Sequence, residues 1–300
     1  MAERISFEDQ ITKNKIKSWI LIAVVLVFFI ALGYIIALVV DPSYFFIIMI
    51  VSIIFSLGYT LISYYNSHKI ALASVRAKPA SPSQHRTFFI AAENMALASG
   101  LPVPKLYVME SSEINAFASG RDPQHAIICV TTGTLEKLTK QELEGVIAHE
   151  MSHIANFDIR YMTLTAVLIG MISIIAEMFL RTMWISSSGE REGRAGAILL
   201  IIGLLFAILA PIAANLVQLA ISRKREYLAD ATGVKLTRYP PGLASALKKI
   251  KHEHVSTQEL KRFNHALAPL FISDPFKRNL KGLFATHPDI NERIRRLEAM

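Results

Sequence analysis

Three hundred residues with 52% hydrophobic side chains and a formal charge of +8 exclude an ordinary soluble globule; apolar and basic blocks must be kept apart along the chain. The basic balance does not mark a nucleic-acid binder, because no run combines dense Lys and Arg with interleaved aromatics. The single cysteine, Cys129, excludes an intramolecular disulfide.

Residues 1–17 are polar, end in Lys13, Lys15 and Lys17, and read as a cytoplasmic N-terminal segment. Residues 18–40 carry no charge and are long enough to cross ~30 Å of hydrocarbon as a helix. A signal peptide would have an apolar core of about 7–15 residues and a small-residue cleavage site, whereas this stretch runs on to Asp41-Pro42. A second uncharged stretch, 44–65, follows a short turn, so residues 18–65 form a transmembrane hairpin with Trp19 at one interface. Lys69, Arg76 and Lys78 follow it, which places both flanks in the cytoplasm.

Residues 66–160 make a first cytoplasmic region. It contains a linker at 78–83, a helix over 86–99 capped by Gly100, and strands at 106–109, 115–118 and 126–130, which form a small sheet. Cys129 lies in the third strand and reads as a buried residue. Residues 161–221 form a second hydrophobic hairpin. Glu177 pairs with Arg181 one turn on, a polar loop spans 186–194, and Pro211 kinks the returning span. Residues 222–300 are again cytoplasmic, with a turn at 239–242, a lysine-bearing amphipathic helix from about 243 to 253, a break at 273–275 and a short helix over 289–299. His252 and His254 point to opposite sides of a helix and are read as surface. The fold class is mainly α: a multi-pass membrane protein with four hydrophobic helices and a cytoplasmic domain containing a small β-sheet.

The chemistry concentrates in His149-Glu150-Met151-Ser152-His153. On a helix, residues four apart share a face, so both imidazoles can hold one metal ion, with Glu150 beside them to deprotonate a water bound there. Thr139 and Glu142 form a capping box at the start of that helix. A catalytic zinc site needs a third protein ligand, and Glu226 is the best candidate. Asp230, four residues on, faces the same way and can receive the N–H of a ligand imidazole. The two motifs meet if the His149–His153 helix runs straight into the third span and the fourth span returns into the Glu226 helix. Asn215, Gln218, Ser222 and Glu226 would then continue as a polar stripe into the bilayer, either as glue between helices or as a substrate groove.

Together with the run Asn115-Ala116-Phe117-Ala118 and the late Thr286-His287-Pro288, these motifs resemble the HtpX family of membrane zinc metalloproteases. That family is related to the CAAX prenyl proteases and the mitochondrial protease OMA. The resemblance implies a gluzincin-like endopeptidase with one Zn2+ per subunit on His149, His153 and Glu226, and Glu150 as general base. It also implies that Asn115, Ala116, Phe117 and Ala118 form the edge strand that aligns substrate, and that His287 and Arg293 support the oxyanion. The implied role is quality control of damaged membrane proteins in the inner cell membrane. The expected partners are protein substrates, the lipid bilayer and other membrane proteases or chaperones. A silent zinc-binding scaffold and a prenylated-peptide protease are the alternatives.

Overall fold

The computed structural model describes residues 7–39, 42–168, 223–253, 270–272 and 288–300. Several expected features lie outside these: the third span beyond 168 with Glu177 and Arg181, the loop 186–194, and the fourth span with Pro211, Asn215, Gln218 and Ser222. His254, the break at 273–275 and His287 are outside them too.

Helix α1, Phe7–Val39, and helix α2, Phe45–Ser74, pack along each other as a hairpin joined through a 3-10 turn at Pro42–Tyr44. Both helices are longer than the uncharged stretches, because the lysines and serines flanking them contain no Gly or Pro to stop a helix already nucleated. Ile11–Tyr34 and Phe45–Ser74 are each long and apolar enough to cross a membrane. Their outward faces agree. Phe46, Val27 and Ile54 are 77%, 66% and 65% exposed, an apolar surface suited to lipid rather than to water. The seam between the helices is aromatic, with Phe29 edge-on to Phe55 and Tyr59.

After the hairpin comes a mixed sheet of four strands: β1 (Lys78–Pro79), β2 (Lys105–Met109), β3 (Ala116–Ser119) and β4 (Ile127–Thr131), in the order β1-β2-β4-β3. Lys78 and Pro79, expected in a linker, instead pair antiparallel with Val108 and Tyr107. Helix α3, Arg86–Ser99, lies between β1 and β2 and ends at Gly100 with φ 68, the left-handed cap expected of it. Strands β2 and β4 are parallel and β3 is antiparallel to β4.

The remaining helices are α4 (Thr132–Lys137), α5 (Lys140–Ala155), α6 (Arg223–Thr237), α7 (Pro240–His252) and α8 (Ile290–Glu298). The sheet's two faces follow the period of two. Leu106, Ala118, Ile128 and Val130 belong to a core shared with α3, α5, α7 and α8. Met109, Phe117, Ile127 and Cys129 face a second core with Ala71 and Leu72 of α2, Met162 and Phe271. Burial raises the Cys129 thiol far above its ordinary pKa, so it is a packed strand residue and not a nucleophile.

The helix of His149 and His153 does not run straight on toward the third span. Helix α5 stops at Ala155, Asn156 caps it, and Phe157 takes the left-handed conformation (φ 56) before helix resumes at 158. A phenylalanine in that region costs about 1–2 kcal/mol, and its ring is covered by the Lys15 ammonium 4.4 Å away.

Candidate metal centre

Helix α5 is fixed at its start by both halves of the capping box: the Glu142 N–H donates to Thr139 Oγ1 and the Thr139 N–H to Glu142 Oε2 at 2.7 Å. The same carboxylate receives Ser245 Oγ at 2.6 Å and Lys249 Nζ at 2.7 Å, which ties α7 to α5. Burial opposes the charge of Glu142, but the bonds to Lys249, Ser245 and Thr139 outweigh it and hold its pKa below the ordinary value. Close helix packing needs Gly145, where a Cβ would lie 2.6 Å from the Leu243 main-chain nitrogen. Gly233 lets α6 approach α5 at His149, with only 3.1 Å available to a Cβ.

This packing brings His149, His153 and Glu226 together, all buried. The two Nε2 atoms are 3.2 Å apart. His149 Nε2 lies 3.6 Å from Glu226 Oε2 and His153 Nε2 3.6 Å from Glu226 Oε1, and one donor atom from each of the three residues lies within 4.8 Å of the other two. A tetrahedral zinc with arms of about 2.0–2.2 Å has ligand atoms roughly 3.3–3.6 Å apart, so two imidazoles and a carboxylate gathered this closely can hold a zinc ion after a small adjustment of the Glu226 side chain.

Each imidazole turns its other nitrogen to a carboxylate. His149 Nδ1 is 2.9 Å from Asp230 Oδ1, and His153 Nδ1 is 3.1 Å from Asp158 Oδ2. Those bonds place the protons on Nδ1 and leave two inward lone pairs facing an acid, an arrangement that requires a positive charge between them. Burial pulls the His149 pKa down, yet the bonds to Asp230 and Glu226 prevail and raise it to about 9. The cluster therefore retains a proton that a divalent cation displaces.

Each of the two carboxylates is in turn held by an arginine. Arg293 forks onto Asp230 through Nε at 2.8 Å and Nη2 at 2.7 Å, and its Nη1 lies 3.4 Å from Glu226. Burial opposes the Asp230 charge, but Arg293 and the bond to His149 keep its pKa below the usual range. On the other side Arg225 Nε is 2.7 Å from Asp158 Oδ1. Asp158 and Arg225 escaped the sequence reading. Asp158 has no motif spacing of its own, and Arg225 sits in a basic triplet that reads as surface although it is buried.

Glu150 is fully buried beside the ligands, and neither of its oxygens has a hydrogen-bond partner of ordinary length among the described residues. The Ala118 N–H is directed at it from β3 and favours its charge, but burial is the larger effect and raises its pKa. The expected edge strand is an edge of the sheet, with differences in detail. Asn115 precedes it, and its Oδ1 accepts the Ala116 N–H at 3.0 Å. The Ala116 carbonyl accepts the Ile272 N–H at 2.9 Å, and Phe117 bridges antiparallel to Phe271. The Ala118 end, next to Glu150, is thus the part of the edge nearest the chemistry.

The sequence profile of Peptidase family M48 matches residues 82–300. Proteins described as "Protease HtpX homolog" are similar over most of the chain. The one from Caldanaerobacter subterraneus subsp. tengcongensis is 50% identical over 82% of this chain and 83% of its own. Those from Dictyoglomus thermophilum and Tropheryma whipplei are 41% and 40% identical, over 98% and 97% of this chain and 95% and 97% of theirs. The crystal structure of S. mikatae Ste24p shares the fold with a TM-score of 0.50 at 18% identity, covering 96% of this chain and 66% of that one.

Proposed function

The chain belongs to peptidase family M48 and is a membrane-bound zinc metallopeptidase, and from that premise we propose that His149, His153 and Glu226 hold one zinc ion per subunit with Glu150 as general base. The observation that carries this reading is the buried cluster of His149, His153 and Glu226, with one donor atom from each within 4.8 Å of the others and the buried Glu150 carboxylate alongside. Zinc bound there supplies a Lewis acid for the scissile carbonyl and lowers the pKa of a water. Glu150, made more basic by burial, takes the proton of the attacking water and returns it to the leaving amine. Asp230 and Asp158 keep the ligand rings in the tautomer the metal needs. The substrate main chain pairs with β3 at Ala118, antiparallel to the strand as Phe271 is at Phe117.

Arg293 is engaged with Asp230 and Glu226 and acts as a positioning residue, which leaves oxyanion support to His287. Lys13, Lys15 and Lys17 before the hairpin and Lys69, Arg76 and Lys78 after it support a cytoplasmic protease domain. The site lies beside the cytoplasmic end of α1, so misassembled membrane proteins are the substrates within closest reach, and their removal is the role.

Glu150→Gln keeps the shape and removes the base. The purified variant should retain one zinc per chain and lose at least about 100-fold in cleavage of casein and membrane-protein substrates. Undiminished cleavage would overturn the assignment of the base. A farnesylated peptide cleaved in preference to both substrates would instead make the chain a prenylated-peptide protease.

A further inference from the structure

The two imidazole supports differ in one respect. Among the described residues Asp230, on α6, is held by His149 of α5 and Arg293 of α8, whereas Asp158 receives a donor from the membrane hairpin. Asn14, on α1 and 2% exposed, donates through Nδ2 to Asp158 Oδ1 at 2.7 Å and to the Asn156 carbonyl at 3.0 Å. Its Oδ1 accepts Arg225 Nη2 at 3.4 Å. One amide therefore touches the carboxylate, the arginine that neutralises it and the turn that ends the ligand helix. Asp158 is wholly buried and Asn14 is one of three groups that satisfy it. Removing a donor from a buried carboxylate leaves an oxygen lone pair unsatisfied and lets the group rotate.

Asn14 does not make this contact by itself. Lys15 covers the Phe157 ring at 4.4 Å, and Lys17 lies 6.0 Å above the Tyr161 ring. The Arg160 guanidinium lies 5.2 Å from both Trp19 of α1 and Tyr64 of α2. The cytoplasmic end of the hairpin thus clasps residues 156–161, the segment that carries Asp158 to His153.

We propose that Asn14 is a positioning residue of the metal site: it orients Asp158, and through it the ring of His153, so that the ligand set is complete only when α1 is docked. The proposal rests on the assignment of zinc to His149, His153 and Glu226. It makes the membrane hairpin a working part of the site as well as an anchor, and it links a shift of α1 in the bilayer to the affinity for metal.

The experiment uses the full chain in lipid nanodiscs. Zinc affinity is measured by competition with a chromogenic chelator, and the melting temperature is measured on the metal-free form. Asn14→Leu removes the amide at similar volume, and Asn14→Ser serves if the leucine variant does not fold. Either should weaken zinc binding about 10-fold, in the range that loss of such supporting groups causes, while the metal-free melting temperature moves by at most a few degrees. Asp158→Asn should weaken binding at least as much, and adding Asn14→Leu to it should cost nothing further, because both act through one group. Zinc affinity within twofold of wild type in both Asn14 variants, or full additivity with Asp158→Asn, would overturn the proposal. The wild type and Glu226→Gln separate this outcome from failure of the zinc assignment. If wild type binds one zinc tightly and Glu226→Gln does not, that assignment stands whatever Asn14 does. If wild type takes up no zinc, both fall.

Discussion

His149 Nε2 and His153 Nε2 face each other at 3.2 Å, and each ring turns its Nδ1 to a buried carboxylate. Without a metal ion only a retained proton offsets the electron pairs that these two nitrogens and Glu226 turn toward one another, and a divalent cation does so more fully. Chelation should therefore both abolish activity and lower the melting temperature, and added Zn2+ should restore both. His149→Ala, His153→Ala and Glu226→Ala should each lose stoichiometric zinc, measured by metal analysis of the purified protein. A variant with any one of them removed that kept a full equivalent of tightly bound zinc would show that these three residues are not the ligand set.

Arg293 is fully buried and bidentate on Asp230, a geometry that only a planar guanidinium reproduces. Arg293→Lys keeps the charge and breaks the fork. It should weaken zinc affinity, and Asp230→Asn should do so by about 10–100-fold. The discriminating measurement is the split between zinc affinity and turnover at saturating zinc. A group acting on the oxyanion would lower kcat with affinity intact, whereas Arg293→Lys should lower affinity first.

Glu142 joins the start of α5 to α7 through Thr139, Ser245 and Lys249. Glu142→Gln should cost about 1–2 kcal/mol at neutral pH, the scale of a lost cap together with a lost charge-assisted hydrogen bond. Its folded pKa lies below its unfolded value, so the stabilisation is complete above the unfolded pKa and disappears as pH falls through the folded one. Thermal denaturation of wild type and variant should consequently converge on acidification below about pH 4. A gap that stays constant to acidic pH would mean that the carboxylate charge is not what stabilises the junction.

At Gly145 a methyl group would meet main-chain atoms of α7, at 2.6 Å from Leu243 N and 2.9 Å from Leu243 Cα. Backbone cannot swing aside as a long side chain can, so Gly145→Ala must push α7 away from α5. Overpacking of this kind costs about 1–3 kcal/mol, read as a lower melting temperature. The companion variant Gly58→Ala, on α2 with open space around it, should be neutral or slightly stabilising.

Much of this molecule is local and therefore readable from sequence. The His149–His153 spacing needs only the pitch of a helix. Thr139 and Glu142 announce the start of that helix, Gly100 ends the one before, and Glu226 with Asp230 repeats the four-residue spacing. The two apolar helices follow from charge-free length. What sequence could not contain is which distant groups complete the site. Asp158 supports His153 only because the Phe157 turn folds it back, and Arg225 is buried only because α6 lies against α5. Ile272 takes the Ala116 carbonyl across 156 residues of separation, and Asn14 reaches Asp158 across 144. Periodicity and capping are properties of neighbouring residues, whereas the satisfaction of a buried carboxylate is a property of whatever the tertiary packing brings to it.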